Sequence, residues 1–147
     1  MTWNDLLADK RVTRHTTSTR EIEDLRAVVQ RNLADAALHG ISADGKYSHA
    51  YDAVLLLSKI AVACSGYRTK GTGAHTNTFL AMNLACGAKA GKYADYFDQC
   101  RRKRNKLSYD MAGIITEKEA EELLDKAHEF NQFIESWIIA KHPEFKP

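Results

Sequence analysis

Between Arg101 and Lys106 the chain reads Arg-Arg-Lys-Arg-Asn-Lys, five cations in six positions with no acid among them. The formal net charge of the protein is +2, and subtracting these five charges leaves −3, so one short segment sets the sign of the whole chain. Charge concentrated in this way suits an anionic partner better than a uniformly basic surface does. Helical phase then singles out one member. With Tyr93 as origin and about 100° per residue, Phe97, Cys100 and Leu107 fall within about 40° of it, and Arg104 falls among them. Arg102, Lys103 and Lys106 project to the solvated side. A guanidinium on an apolar stripe is costly unless it is paired, opens onto a cleft or meets another subunit. Two readings stay open: an arginine at a helix end whose head caps the last carbonyls, and one that faces a phosphate or a partner from a groove.

Other residue types with chemical potential are poorly spaced for it. The histidines offer no i,i+4 pair; His39 and His49 are ten apart, and His75 sits alone in a glycine-rich loop. His49 falls off the apolar stripe of its helix and reads as exposed. Cys64, Cys86 and Cys100 form no C-x-x-C pair, so they read as reduced thiols on apolar helix faces. No metal and no cofactor is expected. The loop GYRTKGTGAHTN at 66–77 lacks the order G-x-x-x-x-G-K-[ST], and no strand is evident before it. It reads as a mobile loop between helices rather than a phosphate cradle. No Ser/His/Asp or Cys/His order marks a nucleophilic enzyme.

These residues need elements to hold them, and the sequence predicts helices. Proline occurs only at 143 and 147, and 20 residues are alanine, the best helix former. Residues 1–17 read as an irregular arm. Ser18, with Glu21 three residues on, predicts a capping box. Ile22, Leu25, Val29, Leu33 and Ala36 follow at helical spacing up to a stop at Gly40. A second helix over roughly 44–65 carries Tyr47, Ala50, Tyr51, Val54, Ser58 and Ala61 on a broad apolar face and reads as the most buried. Tyr47 and Tyr51 are expected in the core, with hydroxyls near Arg104, and Asp52 lies beside the stripe, placed to pair with a base across the bundle. A third helix is expected over about 76–88 and a fourth over about 92–108. A fifth opens at a second capping box, Thr116 with Glu119, and its run of Glu117, Glu119, Glu121, Glu122, Asp125 and Glu129 reads as a solvated face. The expected architecture is all-α, an antiparallel bundle of four or five helices over 18–140, with a frayed tail at 141–147.

Length and composition agree with one domain. A chain of 147 residues buries about 70% of its unfolded surface, and 44% hydrophobic content excludes a disordered tail protein. The most apolar stretch, Val54 to Cys64, is too short to span a bilayer and is broken by Lys59. The first residues show no secretory pattern, so a cytoplasmic location is expected.

The segment RKRNKLSYD at 102–110 resembles the Arg-polar-x-x-x-His signature of the HEPN superfamily (higher eukaryote and prokaryote nucleotide-binding domains). KYSHAYDAVLLLSKIAV at 46–62 is similar to the tyrosine- and alanine-rich helix of these domains, and the resemblance extends over roughly 18–140. It implies an HEPN-like bundle, a homodimer joining two motifs across a groove, and a relation to metal-independent ribonucleases of toxin–antitoxin or phage-defence systems. It further implies an antitoxin or nucleotidyltransferase as partner. Carried over by position, Arg104 matches the family arginine and Asn105 the polar residue after it. At 109 the family histidine is replaced by Tyr109, so the catalytic set implied is Arg104, Asn105 and Tyr109. A phenol with a pKa of about 10 is a poor base at neutral pH, where an imidazole serves as either acid or base.

The expectation is therefore an RNA- or nucleotide-binding protein, with Arg101, Arg102, Lys103, Arg104 and Lys106 as the nucleic-acid contacts and cleavage weak or absent. An active metal-independent endoribonuclease, and a protein–protein module whose basic end meets an acidic partner, are the alternatives. A solvated helix end and a Tyr109 that packs at the end of the bundle are the plainest readings of the same residues.

Overall fold

The computed structural model describes the backbone of residues 1–71, 73–109 and 112–147, and their side chains other than those of Ser108 and Tyr109. The protein is an all-α bundle, 75% helical. The helices are α1 (Trp3–Ala8), α2 (Thr19–Ala36), α3 (Ala43–Cys64), α4 (Ala74–Cys86), α5 (Gly91–Tyr109) and α6 (Glu117–Lys141). A two-stranded antiparallel ribbon joins β1 (Val12–Arg14) to β2 (Tyr67–Thr69).

Local chemistry sets where the long helices begin. Ser18 Oγ accepts from the Glu21 amide at 3.1 Å and starts α2. The return half of that predicted box is not made, because the Glu21 carboxylate takes hydrogen bonds from His15 and Thr17 instead. At α6 both halves form, Thr116 Oγ1 with the Glu119 amide at 3.0 Å and Glu119 Oε1 with the Thr116 amide at 3.1 Å. α2 ends at Ala36, ahead of the expected stop at Gly40, which lies in the following turn with φ +82°.

α3 is the axis of the bundle: α2, α4, α5 and α6 all pack against it, α2 and α6 most extensively. Its sequence is apolar nearly all round, as a helix enclosed on most sides requires. Where α3 to α6 converge, Tyr51, Phe79, Phe97 and Phe130 are fully buried, and Phe97 meets Phe130 edge-on at 4.9 Å between ring centroids.

Three segments expected to be irregular have structure. The arm at 1–17 contains α1, whose Leu6 is wholly buried, and β1. The ribbon accounts for part of the 66–77 segment: β2 pairs with β1, and Tyr67 stacks on Trp3 at 4.1 Å. Both strands are three residues long, too short for an alternating pattern to declare itself. The tail at 141–147 is held by Arg26, which hydrogen-bonds the Phe145 carbonyl and pairs with Glu135 through Nε at 3.0 Å.

Candidate functional site

α4 and α5 form a helical hairpin around residues 87–90, so the start of α4 lies beside the later turns of α5. Side chains clamp that start in place. Thr78 Oγ1 donates to the Ala74 carbonyl at 2.7 Å and accepts from Thr69 Oγ1 at 2.7 Å, while Asn77 Nδ2 donates to the Lys70 carbonyl at 3.3 Å. His75, the second residue of α4, is thereby presented to Tyr51 of α3. The phenol oxygen and His75 Nδ1 are 3.0 Å apart.

Arg104 approaches the same phenol from α5. Its guanidinium carbon lies 5.1 Å from the Tyr51 ring centroid, and its Nη2 donates to Asp52 Oδ1 at 3.1 Å. The Arg104 Nε is buried and meets no acceptor among the described residues. The ion pair is not sealed: the Arg104 and Asp52 side chains remain 26% and 37% exposed. Pairs this open contribute about 0–1 kcal/mol, so solvent or an incoming anion competes for the guanidinium at little cost.

Among the described residues, four of the five cations have carboxylate partners. Arg101 Nε donates to Asp98 Oδ1 at 2.8 Å, and Arg102 lies 3.9 Å from Asp98 Oδ2. Lys103 pairs with Glu119 at the start of α6, and Arg104 with Asp52. Among the described residues, three carboxylates thus face five cations. Asn105 is half-buried and Lys106 exposed on the same helix. The sequence-based expectation for Tyr109 falls on a side chain outside the described residues.

The electrostatics follow from this crowding. Burial, then the charges of Arg104, Lys59 and Arg101, push the His75 imidazole below its ordinary pKa, against an opposing pull from Asp52. His75 is therefore neutral near pH 7. Burial raises the Tyr51 phenol although Arg104 and Arg101 oppose it, so Tyr51 stays protonated. Burial works to raise Asp98, yet hydrogen bonding and charge from Arg101, with Arg102 and Thr76, hold it low. The hydrogen bond from Lys103 lowers Glu119. The result is a cationic site with a neutral imidazole beside it and a neutral, buried phenol beneath.

The sequence placed Tyr51 in the core and Asp52 opposite a base, and both stand there. Tyr47 is also buried, beside Cys100, and makes no hydrogen bond to Arg104 among the described residues. His49 is half-buried against α2, its Nδ1 3.3 Å from Asn32 Oδ1, and not exposed as expected. The residue that spacing missed is His75, which reads as alone only until the α4–α5 turn is folded back. A hairpin at 87–90 sets position 75 across from the 98–104 region, a signal available before any coordinates.

Among the described residues no three histidines, cysteines or acids are grouped to hold a metal, and no helix is long and apolar enough to cross a membrane. Compared with models of protein families, with curated proteins and with solved structures, the chain finds no match in any of the three.

Proposed function

We propose that the protein binds RNA or a nucleotide through the face formed by Arg101–Lys106 together with His75, as an HEPN-like bundle in the cytoplasm that acts as a homodimer and has little or no cleaving activity. One observation carries the reading: Arg104 and His75, from different helices, meet on the Tyr51 side chain, with a loosely held guanidinium ready to exchange Asp52 for a phosphate. A planar guanidinium binds phosphate oxygens in pairs; Arg101 beside it adds a second one, and Arg102, Lys103 and Lys106, which project to other sides of the helix, raise the positive potential around the site. A two-fold axis near α5 brings two such faces together across one groove. An antitoxin or nucleotidyltransferase partner belongs to the same reading through the family resemblance alone.

His75 also favours a second reading, a metal-independent endoribonuclease. A neutral imidazole beside an arginine is suited to take the proton of a ribose 2′-hydroxyl as that oxygen attacks phosphorus. The imidazolium so formed then gives that proton to the departing 5′-oxygen, which returns His75 to its neutral state. His75 would fill the role for which Tyr109 is ill suited.

One experiment separates the two. Single-stranded RNA is incubated with the protein in EDTA, with binding followed by fluorescence anisotropy and products resolved on a gel. The binding reading predicts retention without products and at least about tenfold weaker retention by Arg104→Ala, equivalent to about 1.4 kcal/mol. Products ending in a 2′,3′-cyclic phosphate that vanish in His75→Ala would establish the enzyme instead. Neither retention nor products would remove both.

A further inference from the structure

A second concavity, whose lining residues are all distinct from those of the Arg104 site, lies between β2, the first turns of α2 and the later turns of α3. Its volume is about 360 Å³. Leu25, Val62, Ala63 and Tyr67 make it largely apolar, and Lys59 and Arg68 bring charge to it. That combination, an apolar lining with a few polar groups, is the usual make-up of a small-molecule site, and the volume is at the small end of such sites.

The charges decide what kind of molecule fits. Glu21 is the one carboxylate among the lining residues, and it is already engaged. Its Oε1 accepts from His15 Nε2 at 2.7 Å and from Thr17 Oγ1 at 2.9 Å, and its Oε2 lies 3.8 Å from Arg68. Lys59 is different. It is an exposed lysine on a helix whose next four residues, Ile60 to Ala63, are all buried, and it has no ion-pair partner among the described residues. Arg68 is 64% exposed and, among the described residues, held only by the long approach to Glu21. The cavity thus offers an apolar surface with two cations free to close on an anion.

We infer that this cavity binds a small aromatic anion, a single ring carrying a phosphate or a carboxylate, with the ring against Leu25, Val62 and Ala63 and the anionic group between Lys59 and Arg68. Neither the apolar surface nor the two cations suffices alone, and the site discriminates accordingly.

The test is a two-dimensional amide NMR titration of the full chain with phenyl phosphate and, separately, benzoate. Saturable shifts at Val62, Ala63 and Tyr67 to Thr69 with either compound are expected, and the tighter of the two identifies the anionic group. Lys59→Gln with Arg68→Gln should weaken binding at least about tenfold, about 1.4 kcal/mol for two exposed charges. Both side chains are exposed, and an unchanged melting temperature of the double variant confirms that the fold is intact. Inorganic phosphate and phenol serve as the ring-free and charge-free probes, each expected to bind at least about tenfold more weakly. Either of them binding as tightly as phenyl phosphate, full affinity in the double variant, or shifts confined to Arg101–Lys106 would overturn the inference. RNA binding at the Arg104 face does not enter this test, so the two proposals fail separately.

Discussion

One stripe of α5 is put to two uses. In its first turns Tyr93, Phe97 and Cys100 are buried, Phe97 completely, and Phe97 packs against Phe79 and Phe130. One turn later the same stripe carries Arg104, held by an open ion pair and by the face of Tyr51. The geometry of the helix is the same in both places; the chemistry that satisfies it is not. The first region draws its stability from apolar burial, which needs no partner outside the chain. The second satisfies a charge only partly, with one nitrogen, Arg104 Nε, left without an acceptor among the described residues. A position optimised for folding alone would extend the aromatic region; this one keeps a cation where an anion can reach it.

The contrast can be broken most forcefully at Phe97. Phe97→Ala should destabilise the protein by about 3–5 kcal/mol, read from urea unfolding, because it leaves a cavity among rings that cannot collapse into it. Arg104→Leu should behave differently, leaving stability within about 1 kcal/mol of the native value, since the pair it breaks is open and the Asp52 left behind is 37% exposed to water. A loss of several kcal/mol there would make Arg104 a structural residue like Phe97. Smaller again is the expected effect of Asp98→Asn. Removing the carboxylate that Arg101 and Arg102 share should tighten single-stranded RNA binding about two- to fivefold, about 0.4–1 kcal/mol, and the gain should shrink as salt rises.

The finest distinction is in pH. His75 has a folded pKa below 6.5, so as pH falls through 6.5 the unfolded chain takes up this proton before the folded one does. Stability contributed by the neutral imidazole is therefore lost as pH drops from 6.5 toward the folded value, and His75→Gln should flatten that part of the profile. The carboxylates Asp98 and Glu119 act in a separate window. Their folded pKa values are depressed from 3.8 and 4.5, so their contribution is present above those values and lost in more acid solution. A profile in which His75→Gln changes only the acid limb would contradict the placement of that imidazole.

Much of the fold was legible because long amphipathic helices announce themselves. Ser18 and Thr116 marked two helix starts, and the apolar face of α3 marked the central helix. The ribbon was not legible, since Val12–Arg14 and Tyr67–Thr69 are too short to show a period and pair across more than 50 residues of chain. At the site, helical phase found Arg104, and proximity to the Tyr51 stripe found Asp52. Asp98 stands at i,i+3 from Arg101, a spacing at which neighbours on a helix pair, but it lies outside the basic run itself. His75 required tertiary structure: only the α4–α5 hairpin and the clamp of Thr69, Asn77 and Thr78 bring it to Tyr51.

The central claim concerns the guanidinium of Arg104, and its most direct test is affinity for a fluorescent single-stranded RNA, compared between the native chain and Arg104→Gln at one fixed salt concentration. With the fold verified by circular dichroism, the account predicts that the glutamine variant binds at least about tenfold more weakly. Equal affinity in the two proteins would contradict it.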